Sequence, residues 1–412
     1  MNIISNTLYN MDCFDFMKQV PASYYSLLYT DVPYNLGSEY IIDRQGHYRL
    51  KGKGSDFMNK WEVGDGIWWF DWFKEAYRII KPGGFLVTHN IDRQSDLWSY
   101  YARRSGFFPL QKLYWLFIDS FPKGVDTALQ LDNMLGVERD IVGSAKGAQA
   151  KSTGRYGAWG KSSLYKKGKD VSMRHHDYLT GKMSVYDKTV ATSELAKKYD
   201  GYKHGIAPVK QVVEEILVFW KRTEDSVPRI IQRFETELKS TGLTTLHPSI
   251  FNIRDTRVPP TKKLSTPDRW TPQLVIDSNI IQPMVKQMNH EESFRLLDIL
   301  PKILFTDEDM IPYNYCKKPN KEEQNFGLPF GKENTHPTKK PVALAEWVIK
   351  LFMIPDKSHM RGFDPFAGSG TIPIAFQNLG IEWNGTELET DFFEIAKARI
   401  NGYKERKIQT LF

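Results

Sequence analysis

Residues 361–370, RGFDPFAGSG, run from a strand-like apolar piece through an acid and a proline into a glycine turn. The next ten, TIPIAFQNLG (371–380), carry a helical apolar pattern and close on Gly380. IEWNGTELE (381–389) reads as a second strand and TDFFEIAKARI (390–400) as a second helix. Strand, glycine turn, helix, strand, helix is most of one nucleotide-binding half of an α/β sheet, one strand short. The N-terminal region supplies candidates. NTLYNMD (6–12) can be a third strand, and YYSLLYTDVPY (24–34) a fourth. The two ends of the chain are thus expected to complete one sheet, in circularly permuted Rossmann-like order.

Between them the alternation continues. FDFMKQVP (14–21) reads as a helix ending at Pro21. GIWWFDWFKEAYRIIKPGG (66–84) is an amphipathic helix stopped by Pro82 and two glycines. FLVTHN (85–90), QKLYWLFI (111–118) and EEILVFWKR (214–222) read as strands. This rhythm predicts parallel βαβ units with helices on both faces. Two stretches break it. Residues 146–170 hold Lys146, Lys151, Arg155, Lys161, Lys166, Lys167 and Lys169 against one acid, Asp170, with Tyr156, Trp159 and Tyr165 interleaved. Residues 223–330 are rich in Pro, Thr and Asp and read as an inserted domain.

The 412 residues are 41% apolar and 13% aromatic, enough for a large core. The net charge of +7 suits a polyanionic partner. Cys13 and Cys316 are too far apart in sequence for a disulfide framework or zinc spacing, so no metal site is expected. Apolar runs such as YWLFI are too short to span a bilayer, and a cytoplasmic protein is expected.

The chemistry sits at strand ends. In FDPFAGSGT (363–371), Gly368 and Gly370 allow close approach of backbone to a ligand. Asp364 disfavours a phosphate there and suits an ammonium group. Glu387, closing the following strand, is placed to bind two ribose hydroxyls. In LLYTDVPYNLG (27–37), an apolar run ends in Asp31, Val32, Pro33 and Tyr34. A base amine is a poor nucleophile because its lone pair is delocalised. A carboxylate and a neighbouring carbonyl can accept its two N–H bonds and aim the lone pair at a methyl group. Asp31 and the carbonyl of Val32 can do this, Pro33 stiffens the loop, and Tyr34 can stack on an extruded base.

TDVPYNLG and FDPFAGSGT together resemble the catalytic and S-adenosylmethionine motifs of the DNA amino-methyltransferases of N6-adenine/N4-cytosine type. Catalytic motif first and cofactor motif last, with an insert between, resembles that family's permuted beta group. HPTKKP (336–341), NMDCFDFMKQVP (10–21), IIKPGGFLV (79–87), SFPKG (120–124) and GTELETDFFEIAKARI (385–400) also resemble family segments. The resemblance covers about residues 6–145, 200–222 and 313–402. It implies a Rossmann-like S-adenosylmethionine-dependent methyltransferase fold with an inserted target-recognition domain over 223–330, between catalytic parts 1–222 and 331–412. It implies Asp31, Val32, Pro33 and Tyr34 as catalytic residues. It implies cofactor contacts from Asp12, Cys13, His336, Lys340, Asp364, Pro365, Phe366, Gly368, Ser369, Gly370, Thr371, Glu387 and Leu388.

Two positions depart from the pattern. Val32 replaces the usual first proline of Asp-Pro-Pro-Tyr but keeps its carbonyl. Asn10 stands where the family often has a small residue. Asp at the first motif position is typical of N6-adenine enzymes, and N4-cytosine transfer or an inactive DNA-binding relative are the alternatives. The implied partners are double-stranded DNA, with or without a cognate restriction endonuclease. Monomer and homodimer are both compatible. The basic stretch 146–170 fits phosphate contacts, and Arg229, Arg233 and Arg269 are candidates for reading bases.

Overall fold

The computed structural model describes residues 3–33, 39–42, 48–51, 66–91, 94–116, 125–147, 184–205, 213–256, 274–276 and 318–409. The chain divides into two compact units. Residues 1–34, 64–119 and 212–412 form one, and residues 35–63 and 120–211 form the other.

The first unit is built on a nine-stranded sheet. Its strands are β1 (Thr7–Asn10), β2 (Tyr25–Asp31), β3 (Ile80–Asn90), β4 (Phe108–Pro109), β5 (Leu113–Leu116), β6 (Val213–Trp220), β7 (Leu274–Ile276), β8 (Arg361–Asp364) and β9 (Glu382–Glu387). Their order is β1-β9-β8-β2-β3-β6-β5-β7, with β4 beside β6. The five strands from β1 to β3 run parallel, and Thr7 pairs with Asn384 and Gly362 with Leu27. The expectation that the two ends of the chain share one sheet is therefore met strand by strand. The expectation of parallel units throughout is corrected at β6, which lies antiparallel between β3 and β5. An antiparallel neighbour needs no crossover helix, whereas a parallel one does.

Helices cover both faces. On one side lie α1 (Cys13–Gln19), α2 (Gly66–Ile79) and α3 (Ser95–Arg104). Asp12 caps α1, accepting from the backbone N–H of Phe14 and Asp15. Their aromatic side chains form the layer against the sheet: Phe16 stacks on Phe363 at 5.3 Å, Phe73 meets Phe219 edge-on, and Trp69 meets Trp98 at 4.3 Å. On the other side lie α4 (Val227–Thr241), α5 (Val342–Leu351), α6 (Thr371–Leu379) and α7 (Thr390–Gln409). There Leu27, Tyr29, Phe85 and Val87 of the sheet share a buried core with Val348, Phe352 and Phe376. Each such side chain contributes about 1.5–3 kcal/mol on burial.

The sequence IIKPGG was expected to end α2. The helix stops at Ile79, and β3 begins at once with Ile80. Pro82–Gly84 are accommodated as an irregularity between the Tyr25–Ile80 and Leu27–Phe85 pairs. Gly83 has φ +86°, and a Cβ there would lie 2.0 Å from the His247 carbonyl oxygen. That carbonyl belongs to a strap whose His247 N–H donates to Pro82 and whose Ser249 hydroxyl donates to Gly83.

The insert expected over 223–330 lies largely outside the described residues. Its leading part, including α4, is packed in the sheet unit through Ile230, Phe234 and Leu246. In the second unit, the antiparallel strands Ile141–Gly147 and Ser184–Thr189 pair. Buried Asp132 of helix Thr127–Leu135 accepts from the N–H groups of Thr192 and Ser193 and ion-pairs with Arg139. The basic stretch 146–170 lies outside the described residues beyond Gly147. Among the described residues no helix is long and apolar enough to cross a membrane.

Gly83→Ala is expected to cost about 1–3 kcal/mol through the left-handed φ and the blocked Cβ position. A melting temperature equal to that of the parent would show that the His247 strap moves aside freely.

Candidate active site

Parallel pairing brings the carboxyl ends of β1, β9, β8, β2 and β3 to one edge of the sheet. From β8 the chain progresses through β9 in one direction, and from β2 through β3 in the other. The crevice between β8 and β2 is the place where such sheets bind ligands. Asp364 ends β8 and Asp31 ends β2, so both carboxylates flank that crevice.

Asp364 is buried. Its Oδ1 accepts from the Thr30 hydroxyl at 2.7 Å and from the Phe366 N–H at 3.2 Å. Its Oδ2 is buried with no hydrogen-bond partner among the described residues. Burial, with a smaller push from the Asp31 and Glu387 charges, raises its pKa to about 8 against its two hydrogen bonds. Glu387 ends β9 and accepts from the Gly368 and Glu389 N–H groups, at 2.8 and 2.9 Å. Burial raises it to about 7 despite those bonds.

Between these two acids lies the glycine turn. Gly368 has φ +53°, and a Cβ there would lie 2.7 Å from His336 Nε2. The His336 Nδ1–H donates to the Thr338 carbonyl at 2.8 Å, and burial lowers its pKa to about 4, so the ring that lines the turn is neutral. Buried Arg399 of α7 donates to the Ser369 carbonyl and hydroxyl from below. Gly370 precedes α6, and the Thr371 hydroxyl donates to the Lys340 carbonyl at 3.3 Å. The Pro365 carbonyl accepts from the Thr386 hydroxyl, and the Phe366 ring packs by Trp69 and Trp72.

The remaining expected cofactor residues line the neighbouring strand ends. Leu388 is half exposed beside Glu387. Asp12 follows β1 as the cap of α1. The Cys13 thiol is buried, which raises its pKa well above the ordinary value. Asn10, which departs from the family pattern, donates from Nδ2 to the carbonyls of Glu387 and Leu388. It ties the first strand to the loop that carries the acid.

At the catalytic motif, Asp31 is half-buried, Val32 is buried and Pro33 half-buried. Tyr34 lies outside the described residues. Lys340, expected at the cofactor, donates to Asp31 Oδ2 at 2.7 Å and sits 3.2 Å from Glu214 Oε1. Glu214 and His89, which the sequence reading did not single out, continue this chain of contacts. A polar residue inside a strand otherwise apolar, as in FLVTHN, was the available signal. Of the arginines considered for base contact, Arg233 ion-pairs with Asp225, Arg229 is exposed and Arg269 lies outside the described residues.

These residues fit the S-adenosylmethionine that the resemblance implies. Asp364, at the end of β8, has a buried oxygen with no hydrogen-bond partner among the described residues, and an ammonium group would supply a donor. Glu387 has a raised pKa that hydroxyl donors would relieve.

Residues 163–398 match the DNA methylase family model N6_N4_Mtase. The chain belongs to that family. A Type II methyltransferase of Bacillus amyloliquefaciens, M.BamHI, is 32% identical over 100 residues, 24% of this chain. M2.LlaDCHI of Lactococcus lactis subsp. cremoris is 36% identical over 66 residues, 16% of this chain. The matched parts span 20% and 23% of those relatives' lengths. Among solved structures, the M1.HpyAVI–SAM complex aligns with 14% identity and TM-score 0.39, over 95% of this chain and 98% of that one. The cytosine-N4-specific PvuII DNA methyltransferase aligns with 13% identity and TM-score 0.41, over 97% and 91%.

An acid with a raised folded pKa holds its proton in the folded protein after the unfolded chain has released it, so stability falls as pH rises. For Asp364 and Glu387 the contribution is complete below about pH 4 and is lost by about pH 8. Asp364→Asn is therefore expected to raise the melting temperature of the ligand-free protein at pH 8, by about 2–4 °C per kcal/mol relieved. The same variant should bind S-adenosylmethionine far more weakly. A lower melting temperature at pH 8 would mean that the carboxylate is satisfied by the fold alone.

Proposed function

We propose that this protein transfers a methyl group from S-adenosylmethionine to an exocyclic base amine in double-stranded DNA, with adenine N6 as the favoured target. The observation that carries this reading is the placement of Asp31 and Asp364 on adjacent strand ends, one on each side of the crevice. Family membership, the Type II methyltransferase relatives and the SAM complex of M1.HpyAVI support the same reading.

S-adenosylmethionine supplies an electrophilic methyl group on a sulfonium. Asp364 would accept hydrogen bonds from its ammonium group, Glu387 would accept them from its ribose hydroxyls, Asp12 would lie near its adenine, and Leu388 would line the same site. The glycine turn lets the backbone lie close to it. Asp31 and the Val32 carbonyl accept the two N–H bonds of the target amine, which favours a tetrahedral nitrogen with its lone pair directed at the methyl group. The main catalytic contributions are positioning and electrostatics. Valine in place of proline at position 32 keeps the accepting carbonyl. Tyr34 stacks on the extruded base.

The permuted beta-group order is supported by the pairing of β1 with β9 and of β2 with β8. Residues 223–330 serve target recognition, and the basic stretch 146–170 contacts phosphates. The setting is a restriction–modification pair or a stand-alone bacterial or phage modification enzyme, acting as monomer or homodimer.

The test is methylation sequencing of plasmid DNA from cells expressing the chain, beside the Asp31→Ala variant. Modified adenines at one short motif are expected, and the variant should lose about 10²–10³-fold or more in rate while still binding cofactor. N4-methylcytosine at that motif would change the base and keep the mechanism. No modification would make the protein an inactive DNA-binding relative, and an active Asp31→Ala would overturn the catalytic assignment. Separately, Glu387→Ala is expected to weaken cofactor affinity about tenfold or more, read by calorimetry. Unchanged affinity would remove the ribose role.

A further inference from the structure

Behind Asp31 runs a buried chain of polar contacts that crosses three strands. Tyr29 and Asp31 lie two residues apart on β2, so they share one face of the sheet. His89 of β3 is paired with Asp31 and with Ile216 of β6. Glu214, two residues before Ile216, is the diagonal neighbour of His89 on that face. The Tyr29 hydroxyl meets His89 Nε2 at 2.7 Å, and His89 Nδ1 meets Glu214 Oε1. Glu214 Oε1 lies 3.2 Å from Lys340 Nζ, and Lys340 Nζ donates to Asp31 Oδ2 at 2.7 Å. His89, Glu214 and Lys340 are all buried.

In a core strand, a histidine and a glutamate would ordinarily be replaced by apolar residues at no loss of stability. Here they stand in line behind the acid at the crevice, and the line passes through one ammonium. One ring nitrogen of His89 meets the Glu214 carboxylate and the other the Tyr29 hydroxyl, so each contact fixes the next.

We propose that Glu214, held by His89 and Tyr29, is a positioning residue for methyl transfer that acts on Asp31 through Lys340. The inference rests on the assignment of Asp31 as acceptor of the target amine. Two carboxylates share the Lys340 ammonium. Burial pulls the Lys340 pKa down, but the charges and hydrogen bonds of Asp31 and Glu214 outweigh it, and the ammonium is retained. Lys340 fixes the rotation of the Asp31 carboxylate by gripping one oxygen. Glu214 keeps that grip from neutralising Asp31 fully, by drawing part of the cation's field to itself. Without Glu214, the ammonium settles on Asp31 alone, and Asp31 becomes a weaker acceptor for the amine N–H.

The experiment is a double-mutant cycle on the full chain in single-turnover methyl transfer, with tritiated S-adenosylmethionine and duplex DNA carrying the site. Glu214→Gln keeps the size of the side chain and an oxygen for His89. It is expected to slow transfer about tenfold, with cofactor Kd and DNA KM within about twofold of the parent. In a Lys340→Met background the same substitution is expected to change the rate less than about twofold, because its route to Asp31 is gone. An equal tenfold loss in both backgrounds, or no loss in the first, overturns the proposal. Lys340→Gln replaces Lys340→Met if the latter fails to fold. A parent chain that transfers methyl groups equally well with Asp31→Ala would instead overturn the assigned mechanism.

A readout independent of turnover separates the two. The carboxyl ¹³C resonance of Asp31 is titrated in the parent and in Glu214→Gln. The charged and titratable groups around Asp31 are Lys340, Glu214, His89, His336, Asp364 and Glu387. Only Glu214 changes between the samples, so the Asp31 midpoint is expected to fall in the variant. An unmoved or raised midpoint overturns the coupling even if the parent proves inactive.

Discussion

One buried ammonium allows two acids to face the same crevice. Asp31 and Asp364 end neighbouring strands because the parallel pairing of β2 with β8 leaves them no other place. Two carboxylates so close, with Glu387 beyond, would resist ionisation together. Lys340 compensates one of them directly, at 2.7 Å. Asp364 is left to burial and keeps a raised pKa. The two acids are thereby separated in character. One is held in an ion pair, and the other is a strong acceptor awaiting a cation.

Lys340 can play this part only because of what holds its backbone. It is followed by Pro341, the N-cap of α5, whose first N–H is capped by Glu323, and its carbonyl accepts from Thr371 at the start of α6. The glycine turn, the His336 ring and the Lys340 backbone are therefore held together by direct contacts. A cofactor ordering the turn would also fix the ammonium that orients Asp31. Arg399 and Asn10 brace the same body from α7 and β1. Asp31 and the glycine turn, far apart in sequence, thus share Lys340 as a common neighbour.

Much of this was legible in the sequence because it rests on strand ends. Apolar runs stopped by Asp31, Asp364 and Glu387 announce both a strand and a polar group beyond its tip. The glycine turn fixes where a ligand approaches. The pairing of β1 with β9 followed from counting strands in the C-terminal half. What stayed hidden depends on register across strands that are distant in the chain. His89 and Glu214 carry only one local signal, a polar residue in an otherwise apolar strand, and their meaning arises only when β6 lies antiparallel to β3 with Ile216 opposite His89. That direction was misread because hydrophobic periodicity is blind to strand polarity. Asn10 was visible only as a departure from the family pattern, since its partners are 377 and 378 residues away.

The cost of the site argues for its use. On their own faces of the strands, His89 follows Val87 and Glu214 precedes Ile216, both buried apolar residues. A fold selected for stability alone would continue that pattern. Asp364, similarly, keeps a buried oxygen with no donor among the described residues. Such groups persist in a core when something outside the fold repays their desolvation. For Asp364 the natural repayment is a cationic ligand in the crevice. For Glu214 and His89 it is the orientation of Asp31, the one neighbouring group with chemistry to perform at the crevice. These departures from apolar patterning thus meet at one edge of the sheet, from four strands that pair in succession.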